Sequence, residues 1–332
     1  MERGCAFLGS RYAIMGGAMT WVSERNLVSS ISNAGGFGVL ACGSMTPALL
    51  DQEIKQTQLL TKKSFGVNLI VMHPQLDDLA QICVANRISH VVLAGGVPKS
   101  QTIQILQSGG VKVMAFVPAL VIGKRLVRAG IDALIIEGAE AGGHIGPVST
   151  TVLAQEILPH ISEVPIFVAG GIGRGEAVLS YLEMGAAGVQ LGTRFVCARE
   201  CVAHPNFKKS FIRAASRDAV PSVQLDPRFP VIPVRAIAND ATKKFIEAQR
   251  AAIARFDSGE LTLEQAQLEI EHYWAGSLRR AVVDGDVETG SLMAGQSVGM
   301  VQSEQSTQEI IDELIQQADA ALYRKLDYYK IA

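Results

Sequence analysis

The chain reads as an α/β protein: a (β/α)8 barrel with a mainly helical C-terminal insertion or lid. Three observations predict this. Eight short apolar runs, rich in β-branched residues and edged by glycine, recur within the first 196 residues. Amphipathic stretches of helical spacing separate them, giving a βα repeat of about 20 to 30 residues. The turn after the first run, Gly16-Gly17-Ala18-Met19, lacks the GxGxxG pattern of a dinucleotide-binding open sheet, and eight units favour closure.

The apolar runs lie at 12–17, 38–42, 66–72, 90–94, 112–117, 133–137, 166–169 and 188–191. Their length and composition suit parallel strands buried on both faces. Helical patterns cover 23–32, 46–60, 75–86 and 175–184, and Thr46-Pro47 reads as an N-cap followed by proline at the first helical position. The pattern changes after Phe195. Residues 199–276 are more charged, carry Pro221, Pro227, Pro230 and Pro233, and contain a long helical stretch expected from Asp240 to Trp274. A glycine-rich block at 285–299 and an amphipathic helix from Glu304 to about Lys325 follow. The expected division is a barrel over 1–198, a mainly helical insertion or lid over 199–280, and a segment over 281–332 that returns to the barrel.

Composition narrows the function classes. Apolar residues make up 48% and charged residues 19% of 332, which supports a large core and argues against disorder. The net charge of −2, with no basic stripe, argues against nucleic acid as a partner. Five scattered cysteines form no CxxC pair and read as free thiols, Cys197 and Cys201 included. No histidine pair has metal-ligand spacing, so no metal is expected. No signal peptide is visible, and the longest apolar run, 113–123, is too short to span a bilayer. A soluble, cytoplasmic enzyme of small molecules is expected.

In such a barrel the chemistry sits on the loops after the strands. The seventh run ends in Ala169-Gly170-Gly171-Ile172-Gly173 and the eighth in Gln190-Leu191-Gly192-Thr193-Arg194. Either turn alone could be only a tight bend. Together, at the last two strands, they read as a phosphate cradle of backbone N–H groups. The sixth run opens into Glu137-Gly138-Ala139-Glu140-Ala141-Gly142-Gly143-His144-Ile145-Gly146. A lone histidine is more often structural, but His144 lies between glycines in a mouth loop with no apolar periodicity, and its ordinary pKa of about 6.5 suits proton transfer. Asn68 in the third run can donate to and accept from a heterocycle edge. His73 could line the site; His90 starts a strand at the wrong end, His160 and His272 sit on helical stretches, and His204 reads as a helix cap.

At these residues the chain resembles the nitronate monooxygenase family, formerly 2-nitropropane dioxygenases, which includes the FabK-type enoyl-ACP reductases. The resemblance rests on 17–23 (GAMTWVS), 32–38 (SNAGGFG), 65–68 (FGVN), 140–146 (EAGGHIG), 169–172 (AGGI), 192–195 (GTRF) and 290–296 (GSLMAGQ). It implies a TIM barrel with non-covalent FMN. It further implies that Gly17, Ala18, Met19 and Asn68 meet the isoalloxazine, that Gly142 and Gly143 flank it, that Gly170, Gly171, Gly192 and Thr193 hold the phosphate, and that His144 is catalytic. The chain departs from the family's usual Gln-Gly-Gly-Met turn, having Gly16-Gly17-Ala18-Met19. The leading expectation is oxidation of alkyl nitronates with dioxygen and His144 as acid/base. The alternative is NAD(P)H-dependent enoyl-ACP reduction, towards which the 293–296 block leans; a flavin-binding protein without turnover is the third. A homodimer is a possible assembly.

Overall fold

The computed structural model describes residues 1–229, 233–273 and 276–331, so Pro230 and Trp274 lie outside the described residues. Eight parallel strands form one sheet: β1 (Ile14–Gly16), β2 (Val39–Ala41), β3 (Gly66–Ile70), β4 (His90–Ala94), β5 (Lys112–Val117), β6 (Ala133–Glu137), β7 (Ile166–Ala169) and β8 (Gly188–Leu191). Their order is β1-β8-β7-β6-β5-β4-β3-β2. Phe37 closes the ring onto β1: its N–H donates to Ile14 O at 2.9 Å and its carbonyl accepts from Gly16 N at 2.9 Å. The fold is the expected (β/α)8 barrel.

Side-chain alternation divides the strands between two apolar layers. Met15, Val39, Val92, Met114, Ala133, Ile135, Phe167 and Ala169 fill the barrel. Val67, Leu69, Val91, Val113, Leu134, Ile136, Val168 and Val189 face the surrounding helices. The helix Glu2–Leu8 plugs the bottom, with Leu8 in the inner layer. His90 belongs to that plug. Its Nε2 lies 2.9 Å from Phe7 O and its ring packs edge-on against Phe7 and Phe37. Burial drives its pKa down to about 4. This is a structural histidine, at the end of the barrel away from the mouth.

Caps follow the sequence in most places. Thr46 accepts from Leu49 N and Pro47 opens the helix Pro47–Leu60. His204 Nδ1 accepts from Asn206 N and caps Pro205–Arg213. The second helix differs from expectation. It runs Arg25–Asn33 behind a Glu24 cap, because Ser23 is spent on the preceding turn, donating to Gly17 O at 2.8 Å and accepting from Met19 N at 3.0 Å.

The region after the barrel departs further from the sequence reading. The single helical stretch over 240–274 is two helices, Asp240–Asp257 and Leu263–His272. Gly259 breaks it with φ +80 and Thr262 caps the second helix. These helices and Phe229 form a separate small core of Phe229, Phe245, Ala252, Ala266 and Ile270. The same region also supplies two strands, Ala219–Pro221 and Val234–Ile237, which pair antiparallel with each other. The closing helix runs Thr307–Ile331 and packs on Gly175–Glu183.

That packing has a checkable consequence. A Cβ at Gly175 would overlap the backbone carbonyl of Leu314, and backbone cannot swing away as a side chain can. Gly175→Ala is expected to lose about 3 kcal/mol and several degrees of Tm. A thermal melt equal to wild type would mean that the closing helix is not seated there.

Candidate active site

The mouth of the barrel is built from the last inward residue of each strand and the loop beyond it. Alternation turns Asn68 on β3, Glu137 on β6 and Gln190 on β8 inward, because their neighbours Val67, Leu69, Ile136, Val189 and Leu191 pack outward. Asn68 is buried and its Nδ2 donates to Val92 O at 3.2 Å. Its amide oxygen is left for another donor. Glu137 is half-buried at the top of β6, and desolvation raises its carboxyl to about 8. A carboxyl of that kind holds its proton at neutral pH.

The β1 and β8 loops meet. Gly17 N donates to Leu191 O at 2.8 Å, and a Cβ on Gly17 would sit 3.5 Å from Gly192 Cα. The Met19 sulfur lies 3.4 Å from where a Cβ of Gly192 would be, and Ala18 packs on the inner apolar layer. Gly17, Ala18, Met19 and Gly192 thus come together on one side of the mouth. Gly170 and Gly171 follow β7 with φ +96 and +72, a backbone open to glycine and strained for other residues. Gly170 is pressed against Gly138, and Gly171 against the Glu140 side chain. Among the described residues, the N–H groups of Gly171, Gly192 and Thr193 meet no protein acceptor. The Thr193 hydroxyl oxygen accepts from Gly295 N at 2.9 Å, a bond that uses an oxygen lone pair and not the O–H proton.

The loop after β6 is held from three sides. Glu140 accepts from the Thr150 N–H at 2.8 Å and from its hydroxyl at 2.9 Å. Gly142 packs backbone to backbone on Ala294 and Gly295, where a Cβ would come within 2.5 Å of Gly295 N. Gly143 and His144 form a short strand on the insertion, Gly143 opposite Arg235 and His144 opposite Val234. Ile145 N extends this pairing to Pro233 O at 2.9 Å. His144 is exposed, although nearby protein desolvates its ring enough to lower its pKa.

Arg235 is the strut of this arrangement. It is buried, with Nε donating to Ala139 O at 2.8 Å and Nη1 to Ala219 O at 2.6 Å. Its own carbonyl accepts from Ala294 N at 3.3 Å. One side chain and its peptide therefore join the β6 loop, the insertion and the C-terminal segment.

Sequence reasoning did not single out Glu137, Glu140, Thr150 or Arg235. Glu137 left a signal, an acid ending an otherwise apolar strand. Arg235 left none, since its role exists only once the insertion folds back. His73 follows β3 and its Nδ1 accepts from Gln75 N in a turn. Cys197 and Cys201 are buried free thiols. Among the described residues, no cluster of three or more His, Cys, Asp or Glu is arranged to hold a metal, and no helix is long and apolar enough to cross a membrane.

Known proteins bear on this geometry. The nitronate monooxygenase family model matches residues 2–89 and 78–317. FabK from Thermotoga maritima is 32% identical, with 98% of each chain covered and a TM-score of 0.88. The (3aS,4S,5R,7aS)-5-hydroxy-7a-methyl-1-oxo-octahydro-1H-indene-4-carboxyl-CoA dehydrogenase of Mycobacterium tuberculosis is 28% identical over 93% of both chains. A probable nitronate monooxygenase of Staphylococcus aureus is 25% identical, covering 87% of this chain and 90% of its own. Matched along nearly all of its length, the chain belongs to the nitronate monooxygenase family and is an oxidoreductase.

Proposed function

We propose that this protein is an FMN-dependent oxidoreductase that reduces the double bond of an enoyl thioester, with NAD(P)H as reductant. The observation that carries the flavin half of this reading is the cradle. Three free N–H groups, on Gly171, Gly192 and Thr193, sit on adjacent glycine-rich turns at the mouth, which suits the phosphate of a mononucleotide. Gly17, Ala18 and Met19 line the neighbouring side, and the amides of Asn68 and Gln190 face inward at a level where a ring edge needs donors and acceptors. Gly142 and Gly143 would flank the ring, and their backbone also meets the C-terminal block and the strand Val234–Ile237. The bound flavin would supply hydride transfer.

The chain's own residues would manage position and protons. His144 is held by its backbone on the strand Val234–Ile237, so its ring can stand over the reacting carbon without being tied up elsewhere. Glu137 keeps a proton up to about pH 8 and offers it inside the mouth. The thioester half rests on likeness: FabK and the carboxyl-CoA dehydrogenase are more similar than the nitronate monooxygenases, and their names denote work on thioesters. Nitronate oxidation with dioxygen is the second reading. The match to the family model and the likeness to the probable nitronate monooxygenase of Staphylococcus aureus support it.

Anaerobic mixing of the purified yellow protein distinguishes the two. NADH or NADPH is expected to bleach the visible absorbance, and propyl nitronate is not. Bleaching by nitronate alone would overturn the thioester reading. A protein that takes up no flavin would overturn both.

A further inference from the structure

We propose that Trp21 and Arg279 form a docking site for an adenosine diphosphate group, carried into the mouth by a nicotinamide dinucleotide or a coenzyme A thioester. The inference rests on the reading of this mouth as an oxidoreductase site, and on a residue placed where its backbone does not belong.

Val22 N donates to Met19 O at 3.0 Å and closes a four-residue turn just beyond β1. Trp21 occupies the third position of that turn with φ 68. Glycine or asparagine is the ordinary occupant of such a position, and a bulky residue there is strained. The conformation is imposed from both sides. Ser23 N donates to Met19 O at 2.8 Å, and the Ser23 hydroxyl bridges Met19 N and Gly17 O. The indole is not taken up by the core to offset that strain, since 41% of Trp21 remains exposed. Strain kept in this way, with a large aromatic left at the rim of a site, points to a contact made with something else.

Arg279 indicates the chemistry. Its guanidinium lies 5.8 Å from the Trp21 ring centroid. It also pairs with Asp284 at 3.1 Å, both side chains being about half exposed, and the adjacent Arg280 stands 3.8 Å from Asp286. Exposed pairs of this kind are weak and can be exchanged for a diphosphate, which guanidinium groups grip through two parallel hydrogen bonds. A purine stacks on indole irrespective of its hydrogen-bonding edge. A planar base next to a pair of phosphates fits this combination. Both NAD(P)H and coenzyme A carry that group, and the turn lies at the same end of the barrel as His144.

The test uses tryptophan emission of the flavin-loaded protein. The chain has two tryptophans, so Trp274→Phe leaves Trp21 as the reporter. ADP alone should quench this emission saturably, and pantetheine should not. NADPH against coenzyme A then tells which carrier is preferred. Arg279→Ala should weaken the quench about tenfold or more. Trp21→Gly, which suits φ 68 and should melt no lower than wild type, should weaken ADP binding by equilibrium dialysis to a similar degree. No saturable quench by ADP, NADPH or coenzyme A, or unchanged ADP binding in Trp21→Gly, would overturn the site. Flavin bleaching by NADPH with normal ADP binding in both variants would sink this inference and leave the proposed function standing. ADP binding that depends on Trp21 in a protein that NADPH does not bleach would do the reverse.

Discussion

Replacing His144 with alanine should leave a yellow protein that has lost about 100- to 10,000-fold of its turnover. The cradle residues Gly171, Gly192 and Thr193 lie on other loops, so the cofactor and its spectrum should be retained. Turnover within a few-fold of wild type would remove His144 from the chemistry. Two pH effects accompany this. Desolvation lowers the His144 pKa, so the folded state resists a proton that the unfolded chain accepts below about 6.5. Its share of stability is therefore lost as pH falls through that value, and His144→Ala should flatten the acid side of a stability curve. Glu137 is shifted the other way, to about 8, so turnover that depends on its proton should decline above that pH. In Glu137→Gln that decline should disappear, along with most of the rate.

The second large effect is expected at Arg235, which touches neither the cradle nor the His144 ring. Arg235→Met removes charged donors from the part-buried carbonyl of Ala139 and the buried carbonyl of Ala219, at about 3 kcal/mol. The strand that carries His144 then keeps its backbone pairing with 233–235 but loses the side-chain tie beneath it. A displacement of about 1 Å at a reacting group is enough for about 100-fold in rate. The loss should fall on kcat more than on KM, with flavin retained. Arg235→Lys restores the charge but not two donors at fixed spacing, and should recover only part of the rate. A full recovery by lysine would mean that charge, not the two-point tie, is what matters.

Much of the fold was legible because parallel barrel strands are buried on both faces, and residues 90–94 or 133–137 advertise that with continuous apolar runs. The mouth was legible through glycine. Gly170 and Gly171 adopt a left-handed backbone, with φ +96 and +72. The insertion was less legible. Val234–Ile237 follows a proline-rich stretch, and its partner Gly143–His144 lies about 90 residues earlier, so no local pattern announces the pairing. Gly259 breaks the helical stretch with φ +80, although the apolar spacing continues across it. Thr193 shows a finer limit. Its hydroxyl oxygen accepts from Gly295 N, a tie to a segment 102 residues away that no local pattern announces.

Enoyl thioester reduction at this mouth can be followed by reducing the flavin chemically without oxygen, adding crotonyl thioester, and recording the return of the yellow absorbance with product analysis. Rapid reoxidation with one equivalent of butyryl thioester formed, and slow reoxidation in His144→Ala, is the predicted result. A reduced protein that ignores the thioester, yet in its oxidised form is bleached by propyl nitronate, would contradict it.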